Sequence, residues 1–172
     1  MELLLDGEKT DRLLFRKLLS SDFEAWLPFH EDSRTSEFWY GLPKEPQVAC
    51  QQQFSRTFER YEKRLGGMNA LILKSTENMI GLCGLLVQIV DGIKELEIAY
   101  SLLPEYWGRG FASEAAKKCK HYALEHRLAD SLISIIQVDN IPSQKVALNN
   151  GMYLEKSTTY NNNSVHIFRV NL

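Results

Sequence analysis

The sequence lacks the features of several large classes of protein. Its three cysteines, Cys50, Cys83 and Cys119, are far apart, none forms a Cys-x-x-Cys pair, and its four histidines show no ligand spacing. An odd cysteine count without such spacing argues against a disulfide framework and a zinc site, and it indicates a reducing compartment. No apolar run approaches the roughly 20 residues of a membrane span. The acidic Glu2 stands where a signal peptide needs basic residues. We therefore expect a cytoplasmic protein without a metal or a membrane partner.

The chain also has no excess of positive charge. It carries 20 Lys and Arg against 22 Asp and Glu, which gives a formal net charge of −2. No global positive field is then available to attract nucleic acid. Stripes of basic residues interleaved with aromatic residues, which single-stranded nucleic acid requires, are missing too. A nucleic-acid-binding module is therefore disfavoured.

Hydrophobic periodicity predicts a single α+β domain over residues 1–172, since no repeat or Pro-, Gly- and Ser-rich linker divides the chain. Strands are predicted over 13–18, 70–74, 80–90, 96–102, 132–138, 153–160 and 165–170, and helices over 22–29, 46–65, 112–123 and 143–150. Residues 30–44 are predicted as an irregular surface loop. The order is β-α-α-β-β-β-α-β-α-β-β. Turns at 91–92 and 161–163 indicate antiparallel hairpins, and the strand-helix-strand unit over 96–138 indicates one parallel pair.

A turn between a strand and a helix carries the most informative chemistry. Gly108 and Gly110 flank Arg109 just before a helix of small residues. The glycines let the backbone turn tightly, and the N–H groups at the helix start attract phosphate oxygens, to which Arg109 can add a charged contact. A dinucleotide fingerprint fits poorly because Ser113 stands at its third glycine, and a Walker Gly-x-x-x-x-Gly-Lys motif is absent. Phosphate binding by another scaffold and a plain connecting turn both remain open.

The run over residues 97–115 resembles the acetyl-coenzyme A signature of the GNAT N-acetyltransferase superfamily. It is most similar to the RimJ/RimL-like branch, which includes ribosomal-protein N-terminal acetyltransferases. Residues 10–16 with Asp22 are similar to that branch's opening strand, and residues 140–152 to its later cofactor motif. The resemblance implies a GNAT-type sheet with a splayed parallel strand pair and acetyl-coenzyme A (acetyl-CoA) as cofactor. It also implies acetyl transfer to a primary amine, on a protein N-terminus or a small molecule, by direct attack in a ternary complex.

The resemblance further implies a set of cofactor-binding residues. Amides of the turn would wrap the pyrophosphate, the end of the fourth strand would pair with the pantetheine arm, and the start of the last helix would contact the cofactor from the other side. In that order, the implied residues are Trp107, Gly108, Arg109, Gly110, Phe111, Ala112 and Ser113, then Ser101, Leu102 and Leu103, and then Asn140 and Ser143. The chain departs from the family at Glu105 and at Ala147, where many relatives have a tyrosine as general acid.

Candidate catalytic residues follow from the proton balance of the reaction. An alkyl amine, with a pKa of about 10.4 for lysine, must lose a proton before it attacks a thioester. Glu97 is the first candidate for the base, because strand alternation puts it on the face of Ala99 and Ser101. A solvated carboxylate or a structural ion pair are the alternatives for Glu97, and Glu95 is the next candidate.

For the acid, Ser143 is the candidate donor to the departing thiolate, although a helix cap or a plain cofactor contact would explain it equally. A backbone N–H near Leu102 or Leu103 could polarise the thioester carbonyl. Cys119 falls on the apolar stripe of a helix and is predicted to be a core residue. Direct transfer is therefore preferred to a cysteine intermediate. His121 and His126 are predicted to lie on the surface.

The acceptor is the least defined part of the prediction. The resemblance implies that residues 30–40 and 160–164 wall the acceptor cleft. There, acidic residues next to aromatic ones could receive a cationic amine, or could form an ordinary exposed loop: Glu31, Asp32, Glu37, Phe38, Trp39 and Tyr40. The alternative function is a non-catalytic acyl-CoA-binding sensor, which the missing tyrosine at Ala147 favours. The sequence is compatible with a monomer or a homodimer.

Overall fold

The computed structural model describes residues 2–172 of the chain as an alternation of strands and helices. These are β1 (Leu13–Lys17), α1 (Phe23–Glu31), α2 (Pro46–Glu62), β2 (Gly66–Leu73), β3 (Met79–Val90), β4 (Ile93–Leu102), α3 (Phe111–Glu125), β5 (Ser131–Gln137), α4 (Ile141–Asn149), β6 (Tyr153–Tyr160) and β7 (Asn163–Asn171). The order is the predicted one. No α-helix within residues 2–172 combines the length and the apolar composition that crossing a membrane requires.

The strands form a seven-stranded sheet in the order β1-β2-β3-β4-β5-β7-β6. All neighbouring strands are antiparallel except β4 and β5, which are parallel and share a single register pair, Glu97 with Ile133. Beyond that pair the two strands separate. The predicted α+β sheet with one splayed parallel pair is confirmed.

Helices cover both faces of this sheet. On one face, α3 packs closely through the small residues Ala115, Ala116 and Cys119, all at most 1% exposed. On the other face, α1 and α2 pack through a cluster that includes Trp26 and Phe54. Cys119 is therefore a core residue, as predicted. His121 and His126 are exposed, also as predicted.

The boundaries differ from the prediction mainly around the Gly66-Gly67 pair. The prediction ended a helix there and began the next strand at residue 70, whereas α2 ends at Glu62 and β2 begins at Gly66 itself. A Cβ atom on Gly66 would lie 2.0 Å from the main-chain oxygen of Leu85. The glycine is required by the close approach of two strands, which periodicity does not reveal. Similarly, α1 extends to Glu31, so the loop before α2 is shorter than predicted.

Two polar contacts fix α1, whose end leads into that loop. Arg16 donates to both carboxylate oxygens of Asp22 at 2.8 Å, and the Leu19 N–H donates to the same carboxylate at 2.8 Å. Burial raises the pKa of Asp22, but these hydrogen bonds outweigh it and the net pKa is lowered. The carboxylate therefore stays ionised and joins β1 to the start of α1.

Candidate active site

A cavity of about 680 Å³ opens where β4 and β5 separate. Next to the Glu97–Ile133 pair, Ser134 Oγ donates to the Ile98 carbonyl at 2.9 Å and holds the two strands together. Past this contact, the walls of the cavity are the ends of both strands, the turn before α3, the start of α4 and the loop between α1 and α2. The gap in the sheet thus joins the predicted phosphate turn to the predicted acceptor loop.

The turn before α3 presents unpaired main-chain donors to this cavity. Gly108 and Gly110 have φ values of 68° and 81°, a left-handed backbone that favours glycine. The first helical hydrogen bond runs from the Glu114 N–H to the Gly110 carbonyl at 3.0 Å. The N–H groups of the preceding turn of helix therefore have no acceptor within α3. Together with the positive end of the helix dipole, they form an anion site.

Arg12 holds this turn in place, a role that the sequence analysis missed. Its guanidinium donates to the Arg109 carbonyl at 2.9 Å and to Glu114 Oε2 at 2.7 Å, and lies 4.0 Å from the centroid of the Phe111 ring. Arg12 stands just before β1, about 100 residues from the turn. Only the resemblance of residues 10–16 to the family's opening strand pointed to this region.

Most of the predicted cofactor-binding residues line the cavity: Ser101, Leu102, Trp107, Gly108, Gly110, Phe111, Ala112, Ser113, Asn140 and Ser143. Leu103 and Arg109 do not. The Leu103 N–H donates to the Ile80 carbonyl at 3.0 Å, so it is part of the antiparallel pairing with β3 and cannot serve a ligand. Because N–H directions alternate along a strand, the N–H of Leu102 points away from β3 and towards the gap. The Arg109 guanidinium instead lies 5.7 Å from the centroid of the Tyr106 ring.

The Glu97 carboxylate is buried beside the gap, with 7% of the residue exposed. Its Oε2 accepts a hydrogen bond of 2.7 Å from Gln88 Nε2, and it forms no ion pair with any of residues 2–172. Burial raises its pKa above the ordinary 4.5, while Gln88, the main-chain amide of Ile135 and the charge of Arg60 act in the opposite direction. Glu97 is thus neither a solvated carboxylate nor a partner in an ion pair.

Glu95, the second candidate for the base, has a different environment. Both of its carboxylate oxygens accept hydrogen bonds from Arg169, at 2.6 and 3.1 Å. Arg169 also bonds Glu155 at 2.8 Å and Ser131 Oγ at 2.7 Å. Glu95 is therefore a structural ion-pair partner, and it does not line the cavity.

Ser143 lies across the gap from Glu97, in contact with a tyrosine that the sequence analysis did not single out. The Tyr100 hydroxyl donates to the Ser143 carbonyl at 2.8 Å and lies 2.9 Å from Ser143 Oγ. Burial raises the pKa of Tyr100 well above its usual range. The cap of α4 is Asn140, whose side chain accepts from the Ser143 N–H at 3.1 Å, so Ser143 is not the cap. Strand alternation puts Tyr100 on the other face of β4 from Glu97, and no local pattern links Tyr100 to Ser143, 43 positions later.

Ala147, where many relatives have a tyrosine, is a core residue. It is 1% exposed and packs against Ile136, Met152 and Phe168. The cavity is lined by other residues of α4, among them Ser143 and Val146. On the α4 side of the cavity, Ser143 supplies a hydroxyl group, and the Tyr100 hydroxyl lies 2.9 Å from it.

The loop between α1 and α2 supplies only part of the predicted acceptor wall. Glu37, Phe38 and Trp39 line the cavity, whereas Glu31, Asp32 and Tyr40 do not. Asp32 is bound by Arg34, whose hydrogen bonds lower the pKa of Asp32 to about 2. Tyr40 is 75% exposed and is not part of the lining.

Residues at the turn of the β6–β7 hairpin do not line the cavity, but they form hydrogen bonds to elements around it. The Asn163 side chain accepts a hydrogen bond of 2.8 Å from the Tyr40 N–H. The Tyr160 hydroxyl donates to Gln88 Oε1 at 3.0 Å. Residues 160–164, predicted to wall the acceptor cleft, do not line the cavity. They hold the elements that do.

This geometry agrees with a match between residues 12–153 and a known family, the acetyltransferase (GNAT) domain. The chain belongs to the GNAT acetyltransferase family. Acetyl-CoA is the acyl donor of this family and thus the cofactor of this enzyme. The unpaired N–H groups at the start of α3, beside two left-handed glycines, fit the diphosphate of that cofactor.

Related proteins extend the match over most of the chain. The uncharacterized N-acetyltransferase YoaA of Bacillus subtilis is 26% identical over 148 residues, which cover 86% of this chain and 82% of YoaA. The crystal structure of an acetyltransferase from Agrobacterium tumefaciens superimposes with a TM-score of 0.80 at 24% identity, over 96% of this chain and 94% of that one. RimL, a ribosomal L7/L12 alpha-N-protein acetyltransferase in complex with coenzyme A, gives a TM-score of 0.75 at 16% identity, over 96% and 97% of the two chains. The fold is shared with both solved structures.

Proposed function

We propose that this GNAT enzyme transfers the acetyl group of acetyl-CoA to a primary amine by direct attack, with both substrates bound. The acceptor is a protein N-terminal amine or a small-molecule amine. The observation that carries this proposal is the buried Glu97 carboxylate, which forms no ion pair with another of residues 2–172 and lies beside the gap that leads to the phosphate turn. The names of relatives support the same chemistry, since YoaA is described as an N-acetyltransferase and RimL as an alpha-N-protein acetyltransferase.

We propose that the cofactor is bound by the turn before α3, the end of β4 and the start of α4. The Trp107 N–H, predicted to take part, donates to the Pro104 carbonyl at 3.1 Å. The N–H groups from Gly108 to Ser113 would bind the diphosphate, and the free edge of β4 at Ser101 and Leu102 would bind the pantetheine arm. Asn140 and Ser143 would contact the cofactor from α4. When bound, acetyl-CoA supplies an acetyl group activated as a thioester.

Glu97 is the proposed general base. An ammonium group that enters the gap must lose a proton, and the Glu97 carboxylate is the buried acceptor there. Because burial raises its pKa, Glu97 is a stronger base than an exposed glutamate. The Gln88 amide stabilises the ionised form and fixes its orientation.

Ser143 is the proposed proton donor on the opposite wall. Its Oγ lies 2.9 Å from the Tyr100 hydroxyl, which donates to the Ser143 carbonyl, so this contact fixes the start of α4 beside the gap. Proton acceptor and proton donor thus stand on opposite sides of the gap. Glu97 would take a proton from the amine, and Ser143 would give its hydroxyl proton to the departing sulfur and regain one from water in the open cavity.

The test compares two glutamates on one strand. We expect Glu97→Gln to lower kcat/KM for amine acetylation by about 10²- to 10⁴-fold, the usual contribution of a general base. Acetyl-CoA affinity, measured by calorimetry, should be unchanged. Glu95→Gln is the matched control, since it removes a carboxylate from the same face of β4; we expect a lower Tm and a nearly normal rate.

Two results would contradict the proposal. Full activity of Glu97→Gln across the pH range would remove Glu97 from the mechanism. A wild-type protein that binds acetyl-CoA but acetylates no amine in a broad panel would indicate the acyl-CoA sensor instead.

A further inference from the structure

We infer that the acceptor is a monoamine whose single ammonium group is attached to an apolar body. Such an acceptor is a hydrophobic alkyl or aryl amine, or a polypeptide whose first residue has a large apolar side chain. This inference rests on the proposed function, because it names the kind of amine that enters the same site.

The charges around the cavity support a single ammonium group. Within residues 2–172, Glu97 and Glu37 are the acidic residues that line it, and only Glu97 is buried. Glu37 is exposed, so water weakens its attraction for a cation. The other charged residues of the lining, Arg34 and Lys145, are exposed cations, and Arg34 is paired with Asp32, so neither offers an anionic partner to a second ammonium group. A polyamine would therefore bury an ammonium group without a partner, which is unfavourable.

The part of the cavity around Glu97, where the acceptor would bind, has apolar walls. Side chains from α1, from the loop, from β2 and from the facing strands surround the approach to Glu97: Phe29, Phe38, Trp39, Met68, Ala99 and Ile135. Apolar surface that enters such a site leaves water, and this transfer is favourable. A charged or strongly hydrated body would gain nothing from these walls.

The aromatic part of this surface is held in place before any ligand binds. The Phe29 ring stacks on Trp26 with a centroid distance of 4.4 Å, and the Trp26 indole N–H donates to Gln53 at 2.6 Å. Trp39 packs against the apolar cluster that contains Ile135. A wall with fixed side chains does not lose much conformational entropy when an acceptor docks on it.

The first experiment measures coenzyme A release with a panel of acceptors at neutral pH. Hexylamine and phenethylamine represent free amines, and peptides that begin with Phe or Ser represent polypeptides; spermidine represents polyamines. We expect one of two results. If the acceptor is a free amine, kcat/KM for hexylamine or phenethylamine exceeds that for spermidine by at least about 10-fold; if it is a polypeptide, kcat/KM for the Phe peptide exceeds that for the Ser peptide and that for spermidine by the same factor. Whether the free amines or the Phe peptide give the higher kcat/KM distinguishes a small-molecule acceptor from a polypeptide acceptor.

A second experiment tests the wall without catalysis. Hexylamine is titrated into the protein saturated with coenzyme A, and binding is measured by calorimetry. We expect Phe38→Ala to weaken hexylamine binding about 10-fold and to leave coenzyme A binding unchanged. Tyr40→Ala is the matched control, because Tyr40 is a neighbouring aromatic residue that is 75% exposed and outside the cavity lining.

The outcomes separate this inference from the proposed function. Spermidine acetylated as well as, or better than, the apolar monoamines would overturn the inference while amine acetylation stands. Equal effects of Phe38→Ala and Tyr40→Ala on hexylamine binding would overturn it too. Acetylation of no amine at all, with normal acetyl-CoA binding, would contradict the proposed function itself.

Discussion

At the scale of single residues, the orientation of Glu97 depends on the amide group of Gln88. The Gln88 Oε1 atom accepts hydrogen bonds of 3.0 Å from Arg60 Nη2 and from the Tyr160 hydroxyl. Both partners are donors, so the amide oxygen must face them and the NH₂ group must face Glu97. The result is a fixed donor at 2.7 Å from the carboxylate.

This arrangement predicts a pH effect for Gln88→Leu. Removal of the donor destabilises the ionised carboxylate, so the pKa of Glu97, already raised by burial, rises further. A smaller fraction of the enzyme then has the base form at a given pH below neutrality. The acidic limb of the kcat/KM profile should move to higher pH by about one unit, the worth of one hydrogen bond to a charged group.

The control for this profile is Gln51→Leu, the same change at an exposed glutamine of α2. Its acidic limb should coincide with that of the wild type. If the two variants gave the same limb, Gln88 would have no influence on the protonation of the base.

Residues differ in how far the sequence predicts them. That Glu97, Gly108 and Gly110 line the cavity could be predicted, because strand alternation and a local motif are contained within a few positions. Gln88, Tyr100 and Arg12 could not, because each acts through a partner on another element. Glu95 and Glu97 occupy equivalent faces of β4, and only the position of Arg169 on β7 separates their roles.

At the scale of elements, the site depends on how β4 passes into α3. The turn needs a left-handed residue at Gly110, the cap of α3, where φ is 81°. A Cβ atom there would be in van der Waals contact with Arg12 Nη2 at 3.4 Å, so the further carbons of a branched side chain would meet Arg12. A side chain at this position would therefore strain the backbone and press on the arginine that holds the turn.

We expect Gly110→Val to abolish measurable acetyl-CoA binding in calorimetry. Gly92→Val is the matched control: Gly92 has a similar φ of 78°, but a Cβ atom there would meet nothing within 4 Å. Both variants should lose a similar amount of stability, of the order of 1–3 kcal/mol, while only the first loses the cofactor. Normal acetyl-CoA binding by a folded Gly110→Val protein would contradict the assignment of the phosphate turn.

Where a local turn sequence ends a strand, the end of that strand was predicted to within a few residues of its position in the structure. The turns at 91–92 and 161–162 have the left-handed backbone that Asp-Gly and Asn-Asn favour, with φ values between 48° and 78°. The start of β2 was missed because its glycines are required by the close approach of the β3 backbone, which a local pattern does not show. The acceptor loop was missed in part, because which of its side chains face the cavity is decided by contacts with β5 and β7.

At the scale of the whole molecule, one guanidinium closes the end of the sheet opposite the gap. Arg169 on β7 bonds Glu95 on β4, Ser131 on β5 and Glu155 on β6. It thereby joins four strands where β4 and β5 are still together. These contacts lie on the side of the Glu97–Ile133 pair away from the cavity, where they connect β4 and β5 through β7.

We expect Arg169→Met to lower the free energy of unfolding by about 1–3 kcal/mol, because it leaves the half-buried Glu95 carboxylate without its hydrogen-bonding partner. Lys63→Met, which breaks the exposed pair with Glu59, removes the same charge and should change stability little. Chemical denaturation of the two variants gives the comparison. Equal losses would mean that the Arg169 network adds nothing beyond a surface ion pair.

The strand order and the single parallel crossover could be predicted for the whole chain, since they follow from the succession of elements and from the family resemblance. The dimensions of the cavity could not. They depend on how far β4 and β5 diverge after the Glu97–Ile133 pair, and this divergence results from packing on both faces of the sheet.

The hydrogen bond between the Asn163 side chain and the Tyr40 amide has a practical consequence for protein engineering. The acceptor loop is shaped by a hairpin more than 100 positions later in the chain. A chimera that imports this loop from another acetyltransferase would leave the buried Asn163 amide facing a foreign backbone. Redesign of acceptor choice should therefore exchange the loop and the hairpin as one cassette.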